Sequence, residues 1–233
     1  MRRVLVTGAG SGIGAACCRV LAREGWHVIR TDLSSDDPDV LPLDVTDEHA
    51  WARLMPLVTA DGPLDGLVTS AGIRTRNMIV DTELEEWERH LRVNLTGTWL
   101  AIRAFLRVTP TDASPRSIVT IASVNATIAV PGQAHYVASK GGIVALTRAA
   151  ALEAAPLRVR ANAIAPGPIR TPMTGERLSD PAQLQWLTGR VPLGRVGEPE
   201  EIGELAEFLL SERASYISGE VVYADGGWAA NAV

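Results

Sequence analysis

Arg3-Val-Leu-Val-Thr-Gly-Ala-Gly-Ser-Gly-Ile-Gly14 runs from an aliphatic stretch straight into four alternating glycines. The first half reads as a short buried strand, Arg3 to Thr7. The second half reads as a turn that opens a helix from about Ile13 to Glu24, closed by Gly25. Strand, glycine turn and helix start together make a phosphate-binding device. Glycines let the backbone approach a pyrophosphate, and free N–H groups at the helix start face its charge. The spacing Gly8-x-x-x-Gly12-x-Gly14 is looser than the common dinucleotide fingerprint, so the next strand has to carry part of the argument.

That strand, His27 to Thr31, ends at Asp32, 18 residues after Gly14. An acidic residue about 20 positions on is what holds a ribose 2′-hydroxyl. A carboxylate there repels a 2′-phosphate, and no basic residue lies in the glycine turn or directly after Asp32. The expected cofactor is therefore NAD(H).

Further along, apolar runs and helical patterns alternate. Val40 to Leu43 makes a brief strand ending at Asp44-Val45, joined to the strand before it by a loop or single turn. Thr46 caps a helix to about Thr59. Gly66 to Ser70 is a strand before Ala71-Gly72. A long helix covers about 84–108, with Trp87, Leu91, Leu95, Trp99, Ile102 and Leu106 as its apolar stripe and Asn94 and Gly97 as a local conflict inside it. Ser117 to Ala122 is a strand ending at Ser123, and a helix follows from Ala134 to Leu152. Val159 to Ile164 is the next strand, leading into Pro166-Gly167. Residues 173–198 read as irregular, a lid over a pocket or else a surface insertion. A helix from Glu198 to Ser211 and a strand from Glu220 to Ala224 close the chain. This alternation implies a single α/β domain over 1–233, a doubly wound, mainly parallel Rossmann-type sheet with helices on both faces and a lid around 168–198. Ligands in such sheets sit outside the carboxyl ends of the strands. Gly8, Asp32, Asp44, Ala71, Ser123 and Pro166 all fall on that rim.

Composition narrows the function. The net charge of −5 carries no basic block, which argues against nucleic acid or an anionic membrane as main partner. No apolar run reaches the ~20 residues of a bilayer span. The adjacent Cys17 and Cys18 cannot staple distant segments, so a reduced, cytoplasmic chain is expected. His27, His49, His90 and His135 show no short ligand spacing, and no metal is expected.

The chemistry concentrates in Ser123, Tyr136 and Lys140. Of 22 basic residues 21 are arginine, and Lys140 is the only lysine. It lies four residues after Tyr136, on the same helical face. An ammonium beside a phenol favours the phenolate and draws its pKa down from about 10. Tyr136 can then exchange a proton with an alcohol or carbonyl oxygen that Ser123 holds by a hydrogen bond. With NAD(H) in the groove, the reaction is hydride transfer to or from a carbinol carbon.

Thr7-Gly-x-x-x-Gly-Ile-Gly14, Asp32, Asp44-Val45, Ala71-Gly72, Val93-Asn94, Ser123, Tyr136-x-x-x-Lys140, Pro166-Gly167 and Asp225-Gly-Gly227 together resemble the classical short-chain dehydrogenase/reductase family over essentially the whole chain. The resemblance implies Tyr136 as general acid/base, Ser123 positioning the substrate oxygen and Lys140 on the nicotinamide ribose. Asn94 would hold a water in a proton relay. It implies cofactor contacts from Gly8, Ser11, Gly12, Ile13, Gly14, Asp32, Leu33, Asp44, Val45, Ala71, Gly72, Tyr136, Lys140, Pro166, Gly167, Ile169 and Thr171. It also implies a homotetramer. The usual Asn-Asn-Ala-Gly is Thr69-Ser70-Ala71-Gly72 here, and the short Asp32–Asp44 link resembles that of the 2,3-dihydro-2,3-dihydroxybenzoate dehydrogenase group. An NADP-preferring 3-oxoacyl-carrier-protein reductase and a non-catalytic nucleotide-binding regulator are the competing readings. Arg74, Val124, Asn125, Val130, His135 and the 173–190 segment are candidates to line the pocket of a medium-sized, mixed apolar and polar alcohol or ketone. Arg74 offers a charge for a carboxylate, although a solvated arginine is the ordinary expectation in so arginine-rich a chain.

Overall fold

A computed structural model describes residues 1–111 and 114–231. Among them, seven strands form one parallel sheet in the order β3-β2-β1-β4-β5-β6-β7. They are β1 (Arg3–Thr7), β2 (His27–Asp32), β3 (Val40–Pro42), β4 (Gly66–Thr69), β5 (Arg116–Ile121), β6 (Val159–Pro166) and β7 (Val221–Ala224). β1 pairs with β2 on one side and β4 on the other, so the winding reverses there and a crevice opens at the strands' carboxyl ends.

Two apolar layers hold the sheet. One packs Leu5, Leu67 and Ile118 of the sheet beneath α2 (Glu48–Thr59), α4 (Gly97–Val108), which contributes Phe105, and α5 (Ala134–Ala154). The other packs Val4, Val6, Val68 and Val119 beneath α1 (Gly12–Arg23) and α8 (Pro199–Leu210). Strands β4 and β5 are buried along their whole length, as a sheet covered on both faces requires. Each fully buried large aliphatic or aromatic side chain contributes about 1.5–3 kcal/mol.

The long helix differs in phase from the expected stripe. It consists of α3 (Leu84–His90), a π-helical segment Leu91–Thr96, and α4. The π segment inserts extra backbone where Asn94 and Gly97 weaken the α-helix. The buried face after it is Leu100, Ala101, Ala104 and Phe105 with the expected Ile102, while Trp99 is 42% exposed under the Arg103 guanidinium. Trp87, Leu91, Leu95, Trp99, Ile102 and Leu106 therefore do not form one buried stripe.

Two further expectations are corrected. The cap of α2 is Asp47, which accepts from His49 N at 2.8 Å, because the Thr46 hydroxyl is spent on Asp44 at 2.8 Å. Residues 173–198 are not irregular throughout: α6 (Pro172–Ser179) and α7 (Pro181–Thr188) occupy much of the segment. Each begins with a capping residue followed by proline. Thr171 and Thr174 form a reciprocal cap, and Asp180 accepts from Ala182 N at 2.9 Å. As expected, the β2–β3 link holds no helix, and Arg30 pins it through Asp37 and Asp39.

Candidate active site

The glycine turn is built for close approach. Gly8 has φ +67°, and a Cβ there would lie 2.6 Å from Ala71 N, across the crevice floor. A Cβ on Gly14 would meet the Gly8 carbonyl at 2.0 Å, so Gly14 lets α1 start tightly under the turn instead of lining the cleft itself. Thr7 Oγ1 accepts from Ser70 N at 3.2 Å and Ala71 N at 3.3 Å, tying the β1 and β4 ends together. Thr69, where the family pattern has asparagine, buries its hydroxyl without a partner among the described residues.

Asp32 ends β2 with both carboxylate oxygens engaged. Oδ2 accepts from Gly10 N at 2.8 Å and Oδ1 from Leu33 N at 2.7 Å. A second aspartate, Asp44, accepts from Thr46 N at 2.8 Å. An open cleft of about 370 Å³ runs from these residues to the other end of the rim. Of the predicted cofactor residues, Gly8, Ser11, Gly12, Ile13, Asp32, Leu33, Asp44, Val45, Ala71, Gly72, Tyr136, Lys140, Pro166, Gly167, Ile169 and Thr171 line it. This cradle of bare backbone, with the N-terminal end of α1 opening onto it, fits a dinucleotide.

At the far end stand Ser123, Tyr136 and Lys140. Ser123 follows β5 and its hydroxyl caps a short turn, accepting from Asn125 N at 3.1 Å. Tyr136 and Lys140 sit one turn apart near the start of α5, both buried. Lys140 Nζ donates to the Ile121 carbonyl at 2.8 Å and lies 5.7 Å from the centre of the Tyr136 ring. Burial pulls the ammonium down to about 8. Burial pushes the Tyr136 phenol up, and the Ser123 hydroxyl and the Arg74 charge draw it part of the way back. Arg74 is thus a second cation near the phenol, beside the expected Lys140.

Asn94 reaches the site from behind. Its Oδ1 accepts from Ile73 N at 2.8 Å, and its Nδ2 donates to the Ile73 carbonyl and Ser139 Oγ, each at 3.0 Å. Both Nδ2 hydrogens and one Oδ1 lone pair thus fix the segment after Gly72 to α5. The π segment is what turns it inward.

Of the predicted substrate residues, Arg74, Val124, Asn125 and Val130 line the cleft. His135 does not. One position before Tyr136 on α5, it points away and packs at a tilt against His90, with ring centroids 4.1 Å apart. Glu86, His90 and His135 bring their ligand atoms within 4.8 Å of one another, a grouping hidden by their separation in sequence. The Thr75 hydroxyl lies among them, 3.3 Å from His90 Nε2 and 3.1 Å from His135 Nε2, and donates to Glu86. Arg74 is half-buried, its Nη2 donating to the Met173 carbonyl at 2.9 Å, and not a solvated arginine.

The expected 173–190 segment contributes Met173, Thr174, Arg177 and Leu187 to the cleft, while Gln133 and Trp228, which also line it, were missed by sequence reasoning. The signal for Trp228 was Asp225-Gly-Gly227: Asp225 accepts from Gly227 N at 2.9 Å and Ala229 N at 2.6 Å, folding the chain so that Trp228 turns in. Among the described residues no helix is long and apolar enough to cross a membrane.

A family model described as enoyl-(acyl carrier protein) reductase matches residues 8–229. Cyclopentanol dehydrogenase of Comamonas sp. (strain NCIMB 9872) is 36% identical over 243 residues, covering 98% of this chain and 97% of that protein. The 3-oxoacyl-acyl-carrier-protein reductase of Thermotoga maritima is 38% identical over 240 residues, covering 96% of each. Among solved structures, an Agrobacterium tumefaciens protein assigned as 2-deoxy-D-gluconate 3-dehydrogenase, with bound NADP, is similar at a TM-score of 0.91 and 32% identity. The match covers 98% of this chain and 96% of that one.

Proposed function

The chain belongs to the short-chain dehydrogenase/reductase family, oxidoreductases of alcohol and carbonyl groups, and from that premise we propose an NAD(H)-dependent interconversion of a secondary alcohol and its ketone. The observation that carries the proposal is one cleft joining the Asp32 carboxylate at one end to Ser123, Tyr136 and Lys140 at the other. The glycine turn and the start of α1 would hold the pyrophosphate, Asp32 the adenosine ribose, and Lys140 the nicotinamide ribose. When bound, the nicotinamide supplies the hydride donor and acceptor.

This chain's residues manage the oxygen and its proton. In the reducing direction Tyr136 gives its phenolic proton to the carbonyl oxygen while the Ser123 hydroxyl donates a hydrogen bond to the same atom. In the oxidising direction the Tyr136 phenolate takes the alcohol proton. Asn94 acts through Ile73 and Ser139, holding the floor of the cleft against α5. Helices α6 and α7, with Trp228, shield the reacting end from water.

Asp32 supports NAD(H) over NADP(H). Its two oxygens are fixed by backbone N–H groups, so the carboxylate cannot swing away from a 2′-phosphate. The likeness to the Thermotoga reductase and to an NADP-bound structure gives the opposite preference its hearing. Titration of the purified protein decides: NADH is expected to bind at least about tenfold more tightly than NADPH, and the reverse order would reject the assignment. Tetramer assembly through the exposed Trp99 face of α4, and a cytoplasmic setting suited to the buried thiols of Cys17 and Cys18, complete the proposal. Light scattering of the purified protein reads the first, and a monomer would count against it.

A further inference from the structure

The lid end of the cleft is rich in positive charge. Arg74 and Arg177 both line it. Arg76 and Arg190 lie close enough for their charges, with that of Arg74, to help pull the Arg177 guanidinium down to about 10, beneath the larger effect of burial. Among the described residues none of these four arginines has a carboxylate within 4.0 Å. Others, such as Arg89, Arg107 and Arg148, lack one too, but of the unpaired arginines only Arg74 and Arg177 line the cleft. In a chain of net charge −5, a cluster of unopposed arginines at a pocket is an arrangement that a ligand's charge can complete.

The two lining arginines are also pre-set. Arg74 is held by one hydrogen bond, Nη2 to the Met173 carbonyl at 2.9 Å, which leaves most of its five donors for a ligand. Arg177 stacks on the Trp186 ring at 4.8 Å, Arg190 stacks on the same ring at 3.7 Å, and Trp186 meets Trp228 edge-on at 6.5 Å. This stacking fixes the guanidinium without using its N–H groups, and Arg177 Nε is buried with no partner among the described residues. The same lining also offers apolar side chains, Val130, Met173, Leu187 and Trp228, beside the polar Asn125, Gln133 and Thr174.

We propose that Arg74 and Arg177 clamp a carboxylate, so that the substrate is a hydroxy or keto acid whose carbinol carbon and carboxylate are separated by an apolar body, a ring or short chain. The assignment rests on the alcohol–ketone reading of the same cleft. A planar carboxylate matches the fork of a guanidinium and makes charge-assisted bonds to it, which a lysine or a neutral amide does not reproduce. Binding the acid also fixes which oxygen faces Tyr136, because the charged end can seat only at the lid.

The test separates binding from turnover. The complex of the enzyme with NADH is titrated calorimetrically with cyclohexanecarboxylate and with cyclohexanecarboxamide. The acid is expected to bind about 10- to 100-fold more tightly than the amide. Arg177→Gln and Arg74→Gln should each abolish most of that preference, and Arg177→Lys should restore only part of it. Equal affinity for acid and amide in the unaltered protein overturns the clamp. So does a preference that survives both glutamine variants. If Arg177→Gln weakens NADH itself by the same factor, the anion recognised is the cofactor's phosphate, and the clamp is likewise overturned. Turnover of 4-hydroxycyclohexanecarboxylate, its methyl ester and cyclohexanol is measured separately with NAD⁺ and NADP⁺. Failure of all three to react while the acid preference persists would reject the alcohol–ketone reading and leave the clamp standing.

Discussion

The ammonium of Lys140 is anchored on the Ile121 carbonyl at 2.8 Å, one helical turn beyond Tyr136, whose ring centre is 5.7 Å away. A compact point charge fits that station between strand end and helix. A guanidinium, longer and planar, does not. Lys140→Arg is expected to lower kcat/KM by about 100-fold or more, the scale of a misplacement near 1 Å. Steady-state rates with a secondary alcohol check it, and near-normal turnover would mean the single lysine is incidental.

The same burial makes Lys140 a pH-dependent cost. Its folded value of about 8 lies below the ordinary 10.5, so the folded chain loses this proton first. Between those values the unfolded chain binds more protons and stability rises with pH; below about 8 the penalty is fully present. The stability difference between the unaltered protein and Lys140→Met is expected to grow by up to about 3 kcal/mol from pH 7 to pH 10.5. Urea melts at several pH values measure it. A flat difference would show that the ammonium is better solvated than its burial implies.

Arg74 draws the Tyr136 phenol down from the value that burial imposes. Removing the charge lets the phenol rise. In Arg74→Gln the ascending limb of the pH profile for oxidation of a neutral alcohol should therefore move to higher pH. An unmoved limb would assign the ionisation to another group.

Asn94 satisfies both the N–H and the carbonyl of Ile73. Asn94→Ala leaves them unpaired in a part-buried setting, at about 1–2 kcal/mol for each group. Urea unfolding should show a loss of about 2–4 kcal/mol, with activity falling as the Gly72 segment loosens. Loss of activity without loss of stability would point to a direct chemical role.

Thr69 makes the opposite case. Its hydroxyl is buried without a partner among the described residues, so the isosteric Thr69→Val removes a desolvation cost and no bond. A neutral or slightly higher melting temperature is expected, and a clear drop would reveal a hydrogen bond to a bound water.

What was legible in the chain is what local chemistry dictates. The glycine turn, Asp32 at the end of its strand and the four-residue step from Tyr136 to Lys140 depend on near neighbours, and the structure joins them in one cleft. What escaped depends on tertiary packing. His135 could face the cleft or turn from it, and only the position of His90 across the helix pair decides. Helices α6 and α7 lack a continuous apolar face, and two local caps define them. Arg177 looked like any other arginine until α6 brought it beside Arg74.

The π-helical turn at Leu91–Thr96 gears two halves of the molecule together. Ahead of it the helix carries His90 and Glu86; at its centre it presents Asn94; beyond it the helix buries Leu100 and Phe105. Deleting a single residue within the turn would restore an ordinary α-helix and rotate everything downstream by about 100°. Asn94 would lose Ile73 at the same moment that Phe105 left the core. No one-step loss of this irregularity can trade activity for robustness, and a lineage that acquires the turn is held to it by its interior as firmly as by its chemistry.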